Sequence, residues 1–407
     1  MVNLALPLAG SPREAVPRGV RRRRRVALGL AVVLLAGTGT WAFVQSAGAS
    51  RAGKMADLVW AGNGSRAVGS SGNATQLVLG DAVSGTVRRL GGPFMWGCGG
   101  CAILRAGNSL FVGEADGIYR LDRPRYRATK IANGQIVFPA TVPGQLFVAS
   151  SICCSPAEHQ GDYVHLITTT GKNLGGPWTV PSGYALTDPP RSTASGIVVA
   201  TVIAAPISPS ASLTASPTLA IWNPMTGSIG HVLDLAASFI DTTTADGHTT
   251  VAWLRALRGH CFYPAGDCQL VLTDLTTGLD RVIALPPGGL GFIGGGAFSP
   301  DGKTLAAFIH PDHILGPGLN GQVMKLVIID VATGTVRPVP GSLAEYGEPY
   351  GFATWSPDGR WMFFGGFSGG GQRRGKVLHH VGAYRIGTTR ATELGLPQNY
   401  SVVAVQP

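Results

Sequence analysis

The chain has 407 residues, of which 45% are apolar and 13% are charged. That share of apolar side chains can fill a large core, so the composition excludes an intrinsically disordered protein. The 59 glycines and 28 prolines follow no Gly-X-Y period, which excludes collagen. Turn-forming residues interspersed with aromatic and β-branched ones instead predict many short strands joined by many turns.

The net charge of +10 is concentrated in the N-terminal segment. Residues 1–54 contain nine Lys and Arg residues and one acid, which leaves 23 basic and 21 acidic residues in the rest of the chain. A nearly neutral domain has no electrostatic reason to bind a polyanion, so we expect no nucleic-acid partner.

An uncharged run follows five consecutive arginines at residues 21–25. As a helix the run would be about 28 Å long, close to the thickness of the bilayer core. Because cationic flanks stay in the cytoplasm, we predict a basic cytoplasmic tail at 1–25 and a transmembrane signal-anchor at 26–45. A linker at 46–55 then leads to a domain at 56–407 outside the cytoplasm.

Two other interpretations of this segment remain open. Ala47-Gly48-Ala49 is a candidate signal-peptide cleavage site. Arg24-Arg25 also resembles a loose twin-arginine signal. We therefore expect a single-pass protein of the cell membrane, or a secreted one if the segment is cleaved, and membrane contact only through this helix.

Six cysteines follow the apolar run, and an even number in an oxidising compartment predicts disulfides. Cys261 and Cys268 flank one short loop, which favours a local disulfide. The remaining four leave alternatives open: crosslinks between the two pairs, a zinc site, or a redox Cys-x-x-Cys motif. These four are Cys98, Cys101, Cys153 and Cys154.

An internal repeat carries the fold prediction. Residues 297–308 and 354–364 each contain two apolar segments around a Ser-Pro-Asp-Gly turn. A second pattern is an apolar run, an Asp or Asn, three further residues and a Gly. Its seven copies, some degenerate, begin at Leu77, Ile118, Val164, Leu219, Leu270, Leu326 and Val381.

Two hairpins in about 50 residues are typical of one β-propeller blade. The repeat therefore predicts an all-β chain with seven four-stranded blades, although six or eight remain open. We expect the last apolar strand, at 401–406, to close the ring by pairing with the first blade near residues 57–60.

The Ser-Pro-Asp-Gly turns, flanked by Phe298 and Trp355, resemble WD-repeat-like blades of the TolB type. The resemblance covers residues 56–407 and is sharp in two blades only, and no separate N-terminal TolB domain precedes the ring. It implies a bacterial propeller, exported or membrane-anchored, that acts as a protein-interaction platform in the cell envelope.

The longest connections are predicted between the second and third strands of several blades, all on one face of the ring. Long loops on a rigid scaffold are where binding usually occurs. One loop and the following connection hold a candidate metal or acid–base cluster of His310, Asp312, His313, Glu345 and Glu348. Another holds a basic patch of Arg373, Arg374, Lys376 and His379 that suits an anionic glycan.

No dinucleotide, phosphate-loop, nucleophile-elbow or His-Glu-x-x-His motif occurs, so we assign no catalytic residue and expect no cofactor. We therefore predict a binding module for an envelope protein or glycan rather than an enzyme. The rival hypothesis is a metal-dependent hydrolase or lyase with its site near His310, His313, Glu345 and Glu348.

Overall fold

The computed structural model divides the chain into two units, Met1–Ala52 and Gly53–Pro407. Every described residue lies in the second unit, and the described ranges are 58–63, 74–80, 87–89, 94–95, 103–114, 116–123, 125–150, 162–187, 190–201, 218–257, 268–285, 293–309, 322–346, 353–367, 380–394 and 400–405. The predicted tail, anchor and linker lie outside these ranges. Among the described residues, no helix has the length and apolar character needed to cross a membrane.

The described part of the chain is a β-propeller made of antiparallel strands, as the repeat predicts. The first three sheets use β1 (Leu58–Asn63), β2 (Ala74–Gly80), β3 (Val87–Arg89) and β4 (Phe94–Met95); β5 (Ile103–Ala106), β6 (Ser109–Glu114), β7 (Gly117–Asp122) and β8 (Arg127–Ala132); and β9 (Ile136–Pro139), β10 (Gln145–Ser150), β11 (Tyr163–Thr168) and β12 (Asn173–Thr179).

The fourth and fifth sheets follow in chain order. They use β13 (Tyr184–Leu186), β14 (Ser192–Thr193), β15 (Gly196–Thr201), β16 (Thr218–Trp222) and β17 (Ile229–Asp234); and β18 (Ala236–Ala245), β19 (His248–Ala256), β20 (Cys268–Asp274) and β21 (Leu279–Ile283).

The sixth sheet has eight strands, and β30 (Tyr400–Val405) belongs to the first sheet. The eight are β22 (Ile293–Phe298), β23 (Thr304–Ile309), β24 (Gln322–Asp330), β25 (Val336–Tyr346), β26 (Ala353–Trp355), β27 (Trp361–Phe367), β28 (His380–Arg385) and β29 (Thr392–Leu394).

The structure corrects the expected number of blades, because the strands form six sheets and not seven. The repeats that begin at Leu326 and Val381 were predicted as separate blades. They belong to one sheet, since Ala344 of β25 pairs with Phe367 of β27 and so joins the half β22–β25 to the half β26–β29. The repeat itself is confirmed: all seven predicted starts fall in strands, namely β2, β7, β11, β16, β20, β24 and β28.

The predicted ring closure is also confirmed. The C-terminal strand β30 pairs antiparallel with β1, with Trp60 opposite Val402 and Leu58 opposite Val405. The first sheet therefore takes strands from both ends of the described chain, in the order β3-β2-β1-β30.

Among the described side chains, the hydrophobic core lies between neighbouring sheets, in clusters that join the second sheet to the third, the third to the fourth, the fourth to the fifth and the fifth to the sixth. Strand β23 is buried along almost its whole length, whereas the outer strand β21 is exposed except at Ile283. One core cluster packs Trp253 and Val251 of the fifth sheet against Leu219 and Ile221 of the fourth. The position of a strand in its sheet thus decides whether its apolar run is continuous.

Candidate functional site

The strand bounds confirm where the predicted long loops occur. Five long connections, which follow β10, β15, β19, β23 and β27, span residues 151–162, 202–217, 257–267, 310–321 and 368–379. Most of their residues lie outside the described part of the chain. The predictions for His310, Asp312, His313, Glu348, Arg373, Arg374, Lys376 and His379 therefore stay predictions.

Glu345 is placed differently from its prediction. The repeat predicts Glu345 and Glu348 in one connection, whereas the structure places Glu345 within β25, opposite Val323 of β24. The reason is that β25 continues to Tyr346, beyond the short fourth strand that the repeat suggests. Glu345 is therefore part of a strand ladder and not of a loop.

Cys268 is the first residue of β20, where it is buried and lies opposite Ala256. Cys98, Cys101, Cys153, Cys154 and Cys261 lie outside the described residues, so the pairing of all six stays a prediction. Within the described ranges, no group of three or more His, Cys, Asp or Glu residues is arranged to hold a metal ion.

A groove of about 440 Å³ lies where the fourth sheet meets the fifth, and we call it the rim groove. Residues 231–235, at the end of the outer strand β17, form one side. The other side is formed by Trp253, Arg255, Thr273, Leu275, Gly278 and Asp280 of the fifth sheet.

The floor of the rim groove is a connected polar network. The Trp253 indole N–H donates to the Thr273 hydroxyl over 2.8 Å, and that hydroxyl donates to the Asp280 carboxylate over 2.7 Å. The Arg255 guanidinium pairs with the other oxygen of Asp280 and lies 5.0 Å from the centre of the Trp253 ring. The network runs from the buried Trp253 and Thr273 to the exposed Asp280, and the contacts that join its members favour one arrangement of these side chains.

The local sequence explains how these side chains meet. Trp253 and Arg255 are two residues apart on β19, so both point to the same face of the sheet. Thr273 of β20 lies opposite Asp280 of β21, which brings the hydroxyl and the carboxylate together. The face they share is the one that packs on the fourth sheet.

The other wall of the groove has a strained backbone. His231 and Leu235 have φ angles of 49° and 60°, a conformation that costs a residue with a side chain about 1–3 kcal/mol. The strain at His231 coincides with a bulge, because β17 has one more residue than β16 between the pairs Leu219–Leu233 and Ile221–Gly230. The Leu235 carbonyl accepts the Ala256 N–H over 2.8 Å and so ties this wall to the fifth sheet.

The groove combines several kinds of contact. Arg255 is about one quarter exposed and has five N–H donors, of which one is used by Asp280 in the described part of the chain. Asp234 and His231 are exposed at the opposite wall, and Val232 and Leu275 supply apolar surface. This arrangement can bind an amphipathic segment that carries a carboxylate or carbonyl group.

Sequence reasoning missed the rim groove, since its residues come from four strands and match no motif. The one usable signal was Trp253-x-Arg255, in which an aromatic ring and a guanidinium share a face beside the polar Thr273. Aromatic and charged residues also alternate in solvated strands, so this signal could not single out the groove.

Comparison with known proteins gives the fold and no family. No family model and no curated protein matches the chain. Among solved structures, it is similar to a putative 6-phosphogluconolactonase from Bacteroides fragilis at 11% identity, covering 86% of this chain and 98% of the other, with a TM-score of 0.50. It is similar to oligogalacturonate lyase from Vibrio parahaemolyticus at 12% identity, covering 84% of each chain, with a TM-score of 0.48.

The chain is also similar to TolB from Acinetobacter baumannii at 15% identity, covering 82% of this chain and 80% of that one, with a TM-score of 0.38. The predicted β-propeller fold is confirmed by the sheets of the structure itself, and TolB is among the solved structures to which the chain is similar. At these identities the likeness assigns no activity, because one propeller fold serves many unrelated functions.

Proposed function

We propose that this chain is a binding module of the cell envelope, with a propeller outside the cytoplasm that recognises an envelope protein or glycan. The observation that supports the proposal best is the rim groove, in which a fixed polar floor faces a strained and exposed wall. Strained backbone that is held in place by surrounding structure is characteristic of ligand-binding sites.

The location rests on the sequence. Five arginines before an apolar run at 26–45 favour export of residues 56–407, either anchored in the membrane or released after cleavage. The disulfides proposed for the six cysteines agree with that compartment. We propose no nucleic-acid partner, since the charge outside residues 1–54 is nearly balanced.

A photo-crosslinking amino acid at Val232 tests the proposal, using the full chain in the cells that produce it. Val232 is 51% exposed on the groove wall. We expect a discrete crosslinked product whose partner is an exported protein or an envelope glycan. Arg255→Leu should reduce its yield about tenfold, because a charge-assisted hydrogen bond to the ligand is lost.

The matched control is the same crosslinker at Val142, which is 52% exposed in a turn of the third sheet. We expect no Arg255-dependent product there. Equal products from both positions, or a product at Val232 that Arg255→Leu leaves unchanged, would contradict the binding site. A partner confined to the cytosol would contradict the proposed location.

The rival hypothesis of a metal-dependent hydrolase or lyase gains no supporting observation from the described residues. Three of its four residues lie outside those ranges, and the fourth, Glu345, lies in β25. We therefore propose no second function.

A further inference from the structure

One turn in the second sheet departs from the repeat. In three sheets, the turn after the third strand closes on a glycine four residues after an Asp or Asn. The glycine N–H bonds to that residue's carbonyl over 2.7–2.8 Å, in the pairs Gly227–Asn223, Gly278–Asp274 and Gly334–Asp330. In the second sheet the same bond runs from Tyr126 to Asp122 over 2.7 Å.

Tyr126 therefore takes the position that glycine occupies elsewhere. Those glycines have φ angles of 72–73°, and Tyr126 has a φ of 50°. This left-handed conformation is strained for an aromatic residue, whereas glycine adopts it freely. A strained residue where the repeat provides an unstrained one indicates that its side chain has a task.

The Tyr126 side chain contacts one of two arginines that lie near this turn. It is 2% exposed, and its hydroxyl accepts the Arg123 Nε–H over 3.0 Å. Arg123 directly follows β7, and Arg105 lies in β5 just before the first turn of the same sheet. The turn after β5 and the turn after β7 lie at the same end of the strands, because consecutive antiparallel strands reverse direction.

Arg105 lacks the counter-ion that a partly buried cation needs. Its Nε is buried and has no hydrogen-bond partner, and the described residues provide no carboxylate that pairs with it. Burial and repulsion by Arg123 lower the pKa of Arg105, while Tyr126 acts in the opposite direction. Burying an unpaired cation beside a second cation is unfavourable unless an anion joins them.

We propose that Arg105 and Arg123 form a binding site for a small tetrahedral oxyanion, such as a phosphate group, with Tyr126 positioning Arg123. A guanidinium offers a planar fork of N–H donors that matches the oxygens of phosphate. The N–H groups of Arg105 supply further donors, and the anion supplies the negative charge that Arg105 lacks. This site is separate from the rim groove, and its test does not depend on the proposed function.

The experiment is calorimetric titration of the full chain with inorganic phosphate at constant ionic strength set with chloride. We expect saturable binding with one site per chain. Arg105→Gln should weaken it about tenfold or more, because a charge-assisted contact and half of the positive charge are lost. Arg123→Gln, the second variant, should weaken it similarly and keeps the test decisive if one variant fails to fold.

Two controls complete the design. Arg390→Gln removes an exposed arginine from the sixth sheet and should leave phosphate binding unchanged. Dimethyl phosphate separates the sources of the ligand: binding of both probes assigns the site to phosphodiester polymers as well, and binding of phosphate alone assigns it to the free ion or a terminal group. Absence of saturable phosphate binding, or equal affinity in wild type and Arg105→Gln, overturns the proposal.

Discussion

At the scale of single residues, Asp274 shows how a turn carboxylate is held ionised. It lies at the end of β20, 2.8 Å from His248 Nδ1, and accepts the Thr276 N–H over 2.8 Å. Partial burial alone would raise the pKa of Asp274. The hydrogen bonds from His248, Thr276 and Thr277 lower this pKa by a larger amount. The resulting pKa is about 2, against an ordinary value of 3.8.

This pKa predicts a specific pH dependence of stability. Because folding lowers the pKa, the ionised carboxylate stabilises the fold fully above about pH 4, and this stabilisation is lost as the pH falls through about 2. We expect Asp274→Asn to unfold at lower urea than wild type at pH 6, with a smaller difference in unfolding free energy at pH 2.5.

The control for this prediction is Asp246→Asn, which changes an exposed residue of the neighbouring turn, where φ is 51° and Asn is tolerated. The difference in unfolding free energy between Asp246→Asn and wild type should not shrink from pH 6 to pH 2.5 as that of Asp274→Asn does. A gap between wild type and Asp274→Asn that stays constant from pH 6 to pH 2.5 would show that the ionised carboxylate does not stabilise the fold.

At the scale of elements, the two Ser-Pro-Asp-Gly turns are nearly the same structure. In each, the serine hydroxyl donates to the Asp carboxylate and accepts a backbone N–H five residues on, as in Ser299 with Asp301 and Thr304. The glycines that close the turns have φ angles of 70° at Gly302 and 66° at Gly359. Their surroundings differ, because a Cβ on Gly302 would lie 2.7 Å from the Ala245 Cβ.

This difference predicts unequal costs for the same substitution. Gly359→Ala should destabilise by about 1 kcal/mol, since a Cβ there meets nothing closer than the Pro300 Cδ at 3.8 Å and only the positive φ is unfavourable. Gly302→Ala should cost about 1–3 kcal/mol more, because the added methyl overlaps β18 of the fifth sheet. Urea unfolding measures both, and equal midpoints for the two variants would refute the packing argument.

At the scale of the whole molecule, closure of the ring depends on pairing between the two ends of the described chain. Strand β30 is the end strand of the first sheet and, among the described strands, pairs with β1 alone. Without β30, one edge of β1 would lose its backbone partners, and an open ring would expose the apolar faces of the sheets beside the gap.

Removal of residues 400–407 should therefore lower the melting temperature by more than about 10 °C or cause aggregation, as expected when several kcal/mol of packing are lost. Removal of Gln406 and Pro407 alone retains β30 and should leave the melting temperature within about 1 °C of wild type. Differential scanning calorimetry compares the two truncations. Equal melting temperatures would mean that the strand does not close the ring.

Much of the fold could be predicted because its signals are local. The Asp-x-x-x-Gly and Ser-Pro-Asp-Gly turns depend on residues that are adjacent in sequence, so they predict the repeat. The apolar C-terminal strand needs a backbone partner, so it predicts the closure of the ring. The sheet count was wrong because it depends on one backbone pairing, Ala344 with Phe367, which no side-chain pattern encodes. Glu345 was misplaced for a related reason, since the length of β25 is set by its pairing with β24 and not by its own composition.

The candidate sites were harder to predict. The rim groove brings together Trp253, Thr273 and Asp280 from three strands, and their proximity follows from register rather than from spacing in the sequence. Tyr126 could be recognised in the sequence as a departure from the repeat, because the repeat predicts Gly at its position. A substitution within a repeat became informative only when the structure showed that the backbone keeps the glycine conformation.

Asp241 gives the ring a property that simple stacking would lack. Its buried carboxylate accepts the Arg191 guanidinium of the fourth sheet on one oxygen and the Phe298 N–H of the sixth sheet on the other, over 2.7 and 2.8 Å. One side chain thus fastens three consecutive sheets near the inner strands. The fourth, fifth and sixth sheets are therefore not interchangeable units. Replacing the fifth sheet with a foreign one that lacks this carboxylate would disturb the fourth and the sixth sheet at once.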